Sequence, residues 1–435
     1  MTTRHWATIT VPDRNVLAEL QEQDYDLLRS TVRSNGPQRW SADALLSREQ
    51  IEKLTALGHR VFVRRAGVEA TANVAQSIQV HLASLDDIPS GGYLSVAAVE
   101  QALDLLVATY PSLCRIDSLP HETHEKRKSR YLQVGTEGAN KPSCLLLGGA
   151  HARELVNPDL LLFFVHSLCK AYTTNSDVSF GSQRYDAASV KTILENLNFL
   201  VFPLVNPDGR NYVLEGNSMW RKNRNPNPGM FCEGVDINRN FGFLWSSGIG
   251  TSDNSCSDVF RGTEAFSEPE TLNVRHLIQH HSELQCVVDV HSYSELIMYP
   301  WGDDDSQDQQ EDMNFLNPSY DGKRGVLGDT TYREYLKKDD FQWYVRVGKA
   351  VQDGIEGVRG RVYTLGPSAD LYPTTGTAGD FPYAHGIETK RATPLYSFTI
   401  ETGREFQPPL DEAQQIILEV ASGLTSMGLA LVSSS

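Results

Sequence analysis

The distribution of hydrophobic and polar positions divides the chain into two regions. Within residues 5–65, apolar positions in short segments predict four strands, in "HWATITV", "YDLLRSTV", "WSADALL" and "HRVFVRR". A helix, "NVLAELQEQ", is predicted after the first strand, and a second helix begins at a capping box of Ser47 and Gln50 and ends at Gly58. The order strand–helix–strand–strand–helix–strand predicts a small α+β (ferredoxin-like) domain over residues 1–66.

The second region covers residues 92–435 and has a different pattern. Residues 67–91, which end in "DDIPSGGY", are predicted to form the linker that precedes it. Helical stretches such as "VAAVEQALDLLVATY" then alternate with short apolar strands, "SCLLLGG", "NFLVFPLVN", "LQCVVDVH" and "LYSFTIE". This alternation is typical of an α/β domain with a doubly wound, mixed but mainly parallel central sheet and helices on both faces. Residues 302–345 are polar and acidic, and we predict a surface insertion there.

The net charge of the chain limits the kinds of molecule that it is expected to bind. Acidic residues outnumber basic ones by 55 to 39, a formal net charge of −16. Such a surface repels phosphate backbones and anionic lipids, so we expect no nucleic-acid and no membrane partner. We see no run of roughly 20 apolar residues and no apolar signal core in "MTTRHWATITVPDRN". These features predict a soluble, cytoplasmic protein, with secretion left open.

The six cysteines include no CxxC pair, which argues against a structural zinc knot. Cys144, Cys169 and Cys286 lie in or beside apolar runs and are predicted to be small core residues. Cys232 and Cys256 lie in polar loops where a disulfide is possible, although a reducing cytosol would argue against it.

Residues able to bind a metal stand at the ends of three predicted strands. His151 and Glu154 follow "LLLGGA", where they are expected to project from the same face of one helical turn. His291 ends "LQCVVDVH" and Glu401 ends "LYSFTIE". The carboxyl ends of parallel strands meet at one sheet edge, where ligands bind. Two histidines and a glutamate with an open fourth position form a catalytic zinc site, and a second glutamate beside it can act as a base.

Other histidine-containing segments have simpler explanations. "HETHEKRKSR", with His121 and His124, lacks the His-Glu-x-x-His spacing and is predicted to be a solvated charged loop. His166 lies within an apolar helix and is predicted to be a core histidine.

Six motifs occur in an order that is similar to a known family. They are "GGAHARE", "NPDG", "MWRKNRN", "VDINRNF", "VHSYSELIMYPWG" and "YSFTIETG". Over roughly residues 92–430 the chain resembles the zinc metallocarboxypeptidases of the carboxypeptidase A/B type. The N-terminal unit also resembles the small pro-domain that precedes many of these enzymes.

The resemblance implies a metalloprotease that hydrolyses the C-terminal peptide bond of peptides or proteins. It makes His151, Glu154 and His291 the ligands of one Zn²⁺ per chain. Glu401 matches the general base for the zinc-bound water, and Arg221 matches the arginine that stabilises the oxyanion together with the zinc.

The resemblance also implies the substrate-binding residues. Asn238 and Arg239 match the pair that holds the terminal carboxylate, for which an arginine fork is well suited. Tyr372 matches a mobile tyrosine that caps the bound residue, with Tyr363 as the fallback. The remaining matches to substrate-contacting positions are Arg153, Tyr293, Met298 and Gly379. Ser218 stands where the family often has a second arginine, and Cys232 and Cys256 match positions that often form a disulfide.

The preferred C-terminal residue is left open between two alternatives. In the family that the chain resembles, one pocket position implies aliphatic or aromatic preference when it is apolar and basic preference when it is aspartate, and Gly379 matches that position. Met298 and Thr399 would make the pocket partly apolar, which favours a neutral hydrophobic residue. Asp289, if it points into the pocket, would favour lysine or arginine together with the run Asp303–Asp305, although a solvated loop explains that run more simply.

Three further alternatives remain open at this stage. The same fold would serve an amidase for cell-wall peptides or side-chain-linked glutamate. A second alternative is a catalytically inactive module that binds zinc or a peptide, although such a module has no need of Glu401. The N-terminal unit is either an inhibitory pro-domain or a permanent accessory or folding aid. The oligomeric state is not predicted.

Overall fold

The computed structural model describes residues 4–23, 25–36, 39–65, 92–138, 141–226, 231–370 and 372–433. The predicted linker, residues 67–91, lies outside the described residues, which resume at position 92. The division into domains therefore stays a prediction, and the N-terminal and large units are described by their own elements.

The N-terminal unit has the six predicted elements in the predicted order. They are β1 (Arg4–Val11), α1 (Arg14–Glu22), β2 (Asp26–Ser34), β3 (Trp40–Ser47), α2 (Arg48–Ala56) and β4 (Arg60–Arg65). The strands form an antiparallel sheet in the order β2–β3–β1–β4. The predicted capping box starts α2, because the Gln50 N–H donates to Ser47 Oγ and the Ser47 N–H donates to Gln50 Oε1.

The large unit alternates helices and strands. Its helices are α3 (Val96–Thr109), α4 (Val156–Thr174), α5 (Ala187–Asn196), α6 (Pro207–Leu214), α7 (Pro269–His280), α8 (Lys338–Arg359), α9 (Phe381–Glu388) and α10 (Leu410–Val432). Its strands are β5 (Cys114–Ser118), β6 (Arg130–Val134), β7 (Ser143–Gly148), β8 (Val178–Phe180), β9 (Gln183–Tyr185), β10 (Asn198–Phe202), β11 (Leu284–Ser292), β12 (Leu296–Tyr299), β13 (Ser306–Gln307), β14 (Glu334–Tyr335), β15 (Thr364–Pro367) and β16 (Tyr396–Thr402).

Eight of these strands form a mixed sheet in the order β15–β12–β16–β11–β7–β10–β6–β5. The four central strands β16, β11, β7 and β10 run parallel, whereas β6, β5 and the β12/β16 pair are antiparallel. All six residues of β7 are buried, which explains its continuous apolar sequence. In the β11/β16 register His291 lies beside Glu401, so two of the predicted site residues meet at one sheet edge.

Helix α10 is more apolar than we expected from the sequence. Within the described residues it is the one helix long and apolar enough to cross a membrane, and 67% of its most apolar window is buried in the protein. It packs against α8 and α4, so its apolar surface belongs to the protein core.

The cysteines and His166 follow the sequence-based expectations. Cys144, Cys169 and Cys286 are buried and unbridged. Cys232 and Cys256 form a disulfide. His166 is buried and lies 3.0 Å from the Tyr110 hydroxyl through its Nδ1.

Two predicted surface segments are less exposed than expected. In the acidic insertion, Asp303 and Asp304 are fully buried, so they do not form a solvated loop, and Asp304 accepts a hydrogen bond from the Gly325 N–H. In "HETHEKRKSR", His124 Nε2 lies 2.9 Å from Glu268 Oε2 at the start of α7. In both segments a buried or partly buried charged group is hydrogen-bonded to a residue far away in the sequence, and a local pattern does not reveal such a pairing.

Candidate active site

The first pair of predicted metal ligands lies in the turn between β7 and α4. His151 and Glu154 are not on a helical turn, as the sequence suggested, because α4 begins only at Val156. Gly149 allows the chain to turn there: its φ is +66°, and a Cβ would lie 2.9 Å from the Leu204 side chain. The Ala152 N–H donates to the Arg221 carbonyl at 3.0 Å, which ties this turn to the segment that carries Arg221.

The side chains of His151, Glu154 and His291 converge in a buried cluster. His151 Nδ1 lies 2.8 Å from Glu154 Oε1, and His291 Nδ1 lies 3.0 Å from Glu154 Oε2. The two Nδ1 atoms are 3.1 Å apart. This group offers three ligand atoms within 4.8 Å of one another.

The opposite ring nitrogens show which atoms are free for a metal. His151 Nε2 lies 3.0 Å from Asp236 Oδ1, and His291 Nε2 lies 2.6 Å from Asp289 Oδ2. With each Nε2–H donating a hydrogen bond to its carboxylate, the Nδ1 lone pairs of both rings face each other and Glu154. Two ring nitrogens and a carboxylate converging at this distance can hold a metal ion between them, and two nitrogens with one oxygen suit zinc. The residues therefore fit a zinc ion.

Asp236 links the metal site to Arg221. Its Oδ2 accepts hydrogen bonds from Arg221 Nε at 3.0 Å and Nη2 at 2.8 Å, while Oδ1 contacts His151. Burial alone would raise the pKa of Asp236, but Arg221 and His151 hold it well below its usual value. Burial likewise opposes the charge of Arg221, and Asp236 raises its pKa above the ordinary value. Arg221 is therefore a permanently charged group in a fixed position.

Asn238 and Arg239 lie on a short 3-10 turn, Ile237–Arg239, beside the same cleft. Asn238 Oδ1 accepts from the Ala378 N–H at 2.8 Å. Arg239 donates from Nε to the Gly250 carbonyl at 3.0 Å and from Nη1 to the Asn238 carbonyl at 2.6 Å. These bonds fix the orientation of a buried guanidinium.

Most of the predicted site residues line one cleft. It is bounded by Asp26, Leu27, His151, Arg153, Glu154, Arg221, Asn238, Arg239, Ser292, Tyr293, Tyr372, Glu401 and Phe406. Tyr372 is among them, whereas the fallback Tyr363 lies elsewhere, with its hydroxyl donating to Glu419 Oε2 at 3.2 Å. Gly379 and Met298 are not among the lining residues. A Cβ at Gly379 would lie 2.6 Å from Thr399 Oγ1, and Met298 packs with Tyr372.

Two sequence-based interpretations of acidic residues are wrong. Asp289 does not point into a specificity pocket, because its carboxylate contacts the imidazole of His291. None of Asp303, Asp304 and Asp305 lines the described cleft. Asp236 and Asp26 were not predicted as site residues from the sequence. The spacing of Asp289 and His291 by two residues on a strand was the one local signal, because such side chains share a face.

Asp26 brings the N-terminal unit into the cleft. Its carboxylate accepts two hydrogen bonds from Arg153, Nη1 to Oδ2 at 2.7 Å and Nη2 to Oδ1 at 3.0 Å. Both side chains are buried, with 1% of Arg153 and 4% of Asp26 exposed. Burial alone would lower the pKa of Arg153, but Asp26 raises it. Arg153 is thus engaged by a residue of β2.

Comparisons with known proteins agree with this fold and site. A family model described as zinc carboxypeptidase matches residues 99–422. The chain is 35% identical over 229 residues to carboxypeptidase B of Helicoverpa zea, across 51% of this chain and 49% of the relative. It is 30% identical over 317 residues to carboxypeptidase A4 of Mus musculus, across 72% of this chain and 63% of the relative. The matched parts thus span from about half to under two thirds of these relatives' own length.

Two solved structures share the fold along the whole chain. The carboxypeptidase A from Helicoverpa armigera gives a TM-score of 0.77 at 21% identity, over 100% of this chain and 98% of that one. Thrombin activatable fibrinolysis inhibitor gives 0.71 at 19% identity, over 100% of both chains. Because the family model covers most of the chain and the metal-binding residues are in place, the chain belongs to the zinc carboxypeptidase family.

Proposed function

We propose that the protein is a monozinc carboxypeptidase that hydrolyses the last peptide bond at the C-terminus of peptides or proteins. One observation carries this proposal: the buried Arg239 guanidinium faces the same cleft as the His–Glu–His cluster and Glu401. A guanidinium binds a carboxylate through two parallel hydrogen bonds. A free carboxylate next to the scissile bond exists only at a chain terminus, so this arrangement selects the terminal residue.

The other residues of the cleft suit peptide hydrolysis. Zinc held by His151, Glu154 and His291 would supply a Lewis acid and lower the pKa of a water molecule to about 7. Glu401 accepts the proton of the attacking water and returns it to the leaving amine. Arg221, held by Asp236, donates to the oxygen on which negative charge develops, and such a donor contributes about 3–4 kcal/mol to transition-state stabilisation.

The released residue is proposed to be neutral and hydrophobic. Gly379, Thr399 and Met298, which match pocket positions of the family, are uncharged; Thr399 pairs with Met298 across β12 and β16 and lies close to Gly379. Asp289, the sequence-based candidate for binding a basic side chain, contacts His291 instead. A basic residue is the alternative, and the substrate panel below distinguishes the two.

The N-terminal unit is proposed to act as an inhibitory pro-domain and not as a mere accessory. Asp26 and Leu27 line the cleft itself. Val32 packs against Met298 and Tyr372, and Trp6 lies with its ring centroid 6.3 Å from that of Tyr293. A unit in this position occupies space that a peptide substrate needs.

The cellular location stays a prediction. We infer an oxidising compartment rather than the cytoplasm expected above, because the Cys232–Cys256 disulfide persists where thiols are not kept reduced.

The zinc content and the substrate class can be measured together. We expect one zinc per chain and, after proteolytic removal of residues 1–90, release of Phe or Leu from N-blocked dipeptides, with less release of Lys, Arg or Glu. The zinc chelator 1,10-phenanthroline should abolish release, and added Zn²⁺ should restore it, because the proposed hydrolysis depends on the bound metal. Hydrolysis of cell-wall peptides in place of these dipeptides would favour the amidase alternative. Bound zinc with no hydrolysis, even after removal of residues 1–90, would favour a binding module.

Recognition of the terminal carboxylate can be tested at Arg239. Arg239→Ala should raise KM for a peptide acid by about 100-fold with a smaller change in kcat, since a hydrogen bond to a charged group contributes about 1.5–3 kcal/mol. The same peptide with a C-terminal amide should be a poor substrate for both proteins, so the preference for acid over amide should collapse. Arg184→Ala, which removes a surface arginine with 71% of its side chain exposed, serves as the control. An unchanged acid-to-amide preference in Arg239→Ala would contradict the assignment.

A further inference from the structure

Asp289 lies two residues before His291 on β11, and the pleat of a strand places both side chains on the same face. Its carboxylate is almost completely buried, with 1% of the residue exposed, and Oδ2 lies 2.6 Å from His291 Nε2. The other ring nitrogen, Nδ1, faces Glu154 and His151. Asp289 therefore contacts His291 at Nε2, the ring nitrogen opposite the one that faces the metal-binding cluster.

We propose that Asp289 is a positioning residue that holds His291 in the zinc-binding tautomer and increases the affinity of the site for zinc. The inference rests on the zinc site of the proposed function. A carboxylate behind an imidazole accepts its N–H, fixes the ring orientation and makes the opposite nitrogen a stronger ligand. Asp236 has the same geometry toward His151, so both histidine ligands are backed by carboxylates.

The second neighbour of His291 Nε2 cannot perform this role. Asn238 Nδ2 lies 3.3 Å from Nε2, but Asn238 Oδ1 already accepts the Ala378 N–H at 2.8 Å. The amide therefore presents N–H groups to the ring and offers no acceptor. Among the described residues that contact Nε2, Asp289 alone can accept its proton.

The two carboxylates differ in how their charge is used. Asp236 shares its charge between His151 and Arg221, through Oδ1 and Oδ2 respectively. Asp289 has no such cation on its second oxygen: Oδ1 is buried and accepts no hydrogen bond from the described residues. Its neighbours across the sheet, Leu147 on β7 and Thr399 on β16, are uncharged. The negative charge of Asp289 is therefore directed at His291 and, through the ring, at the metal.

Two substitutions separate the hydrogen bond from the charge. Asp289→Asn keeps an acceptor for Nε2–H but removes the charge, and Asp289→Leu removes both at similar volume. The full-length protein would be loaded with zinc, and the apparent zinc Kd would be measured by chelator competition at constant pH. We expect Kd to rise about 10-fold in Asp289→Asn and about 100-fold in Asp289→Leu, the usual range for such partners of metal ligands.

A matched control and a spectroscopic readout distinguish positioning from a general structural role. Asp340→Asn removes a different buried carboxylate, one that accepts hydrogen bonds from Tyr383 and Tyr396, and should leave the zinc Kd unchanged. Visible absorption of the cobalt-loaded protein should change in both Asp289 variants and not in Asp340→Asn.

Zinc affinity within twofold of wild type in Asp289→Leu would overturn the proposal. Equal losses of zinc affinity in Asp289→Asn and Asp340→Asn would overturn it as well. This second comparison tests the proposal even if Asp289→Leu fails to fold. If both Asp289 variants lose zinc affinity as expected, but the zinc-loaded wild-type protein hydrolyses no peptide even after removal of residues 1–90, the proposed function is contradicted and the role of Asp289 is still supported.

Discussion

Replacing Glu401 by glutamine should lower kcat by about 10³-fold while leaving the zinc content unchanged. Glu401 lines the cleft at the end of β16, beside His291 in the sheet register, but it is not a member of the His151–Glu154–His291 cluster. Glutamine has nearly the same shape but cannot take a proton from water. General acid–base groups contribute about 10²–10⁴-fold to rate, and Glu401 is proposed to serve as both base and acid. Steady-state kinetics on an N-blocked dipeptide, with metal analysis of the same sample, measure both quantities.

Glu405→Gln provides the matched control, because Glu405 is an exposed glutamate four residues further along the chain and does not line the cleft. It should retain wild-type kcat. A Glu401→Gln protein with kcat within tenfold of wild type would show that another group acts as the base. Loss of zinc in the same variant would mean that Glu401 supports the metal and not the proton transfer.

Replacing Asp26 by alanine should increase the activity of the full-length protein by about 100-fold in kcat/KM. Asp26 makes two hydrogen bonds to Arg153, and both side chains are buried at the cleft. Its truncation leaves the Arg153 guanidinium buried without a counter-charge, which costs about 2–5 kcal/mol of docking free energy. The N-terminal unit stays covalently connected to the rest of the chain. With its docking weakened by this free energy, however, it should leave the cleft open for a larger fraction of the time.

Glu52→Ala is the control for this experiment, because it removes an acidic residue of the same unit whose side chain is 69% exposed and pairs with Arg48 at the surface. It should leave the activity of the full-length protein unchanged. If Asp26→Ala does not activate but proteolytic removal of residues 1–90 does, the apolar contacts are sufficient for inhibition. If neither treatment raises activity, the N-terminal unit is an accessory domain.

Many elements of the fold can be predicted from local sequence patterns. The capping box of Ser47 and Gln50 marks the start of α2 because its hydrogen bonds join residues only three apart. Continuous apolar runs such as "SCLLLG" indicate buried parallel strands, because both faces of the sheet are covered. Since parallel strands end at a common edge, the positions of His151, His291 and Glu401 at strand ends were enough to predict a metal site.

The partners of these residues depend on contacts across the chain. Asp236 lies 85 residues from His151, and Asp26 lies 127 residues from Arg153, so neither pairing leaves a periodic signal. Asp303 and Asp304 look solvated because nothing nearby in the sequence reveals the packing that buries them. Asp289 shows most clearly what a local pattern cannot predict. Strand alternation places its side chain on the same face of β11 as that of His291, but the direction of its carboxylate depends on side-chain packing.

The sequence by itself therefore determined the order of elements in the N-terminal unit, the mainly parallel sheet of the large unit and the candidate metal ligands, because hydrophobic periodicity, caps and strand ends are local properties of the chain. Only the tertiary structure decided which carboxylates stand behind the two histidines, that Asp236 joins Arg221 to the metal site, and that Asp26 enters the cleft. Those pairings follow from long-range packing, in which buried charges must find partners of opposite charge or hydrogen-bond donors wherever the folded chain brings them.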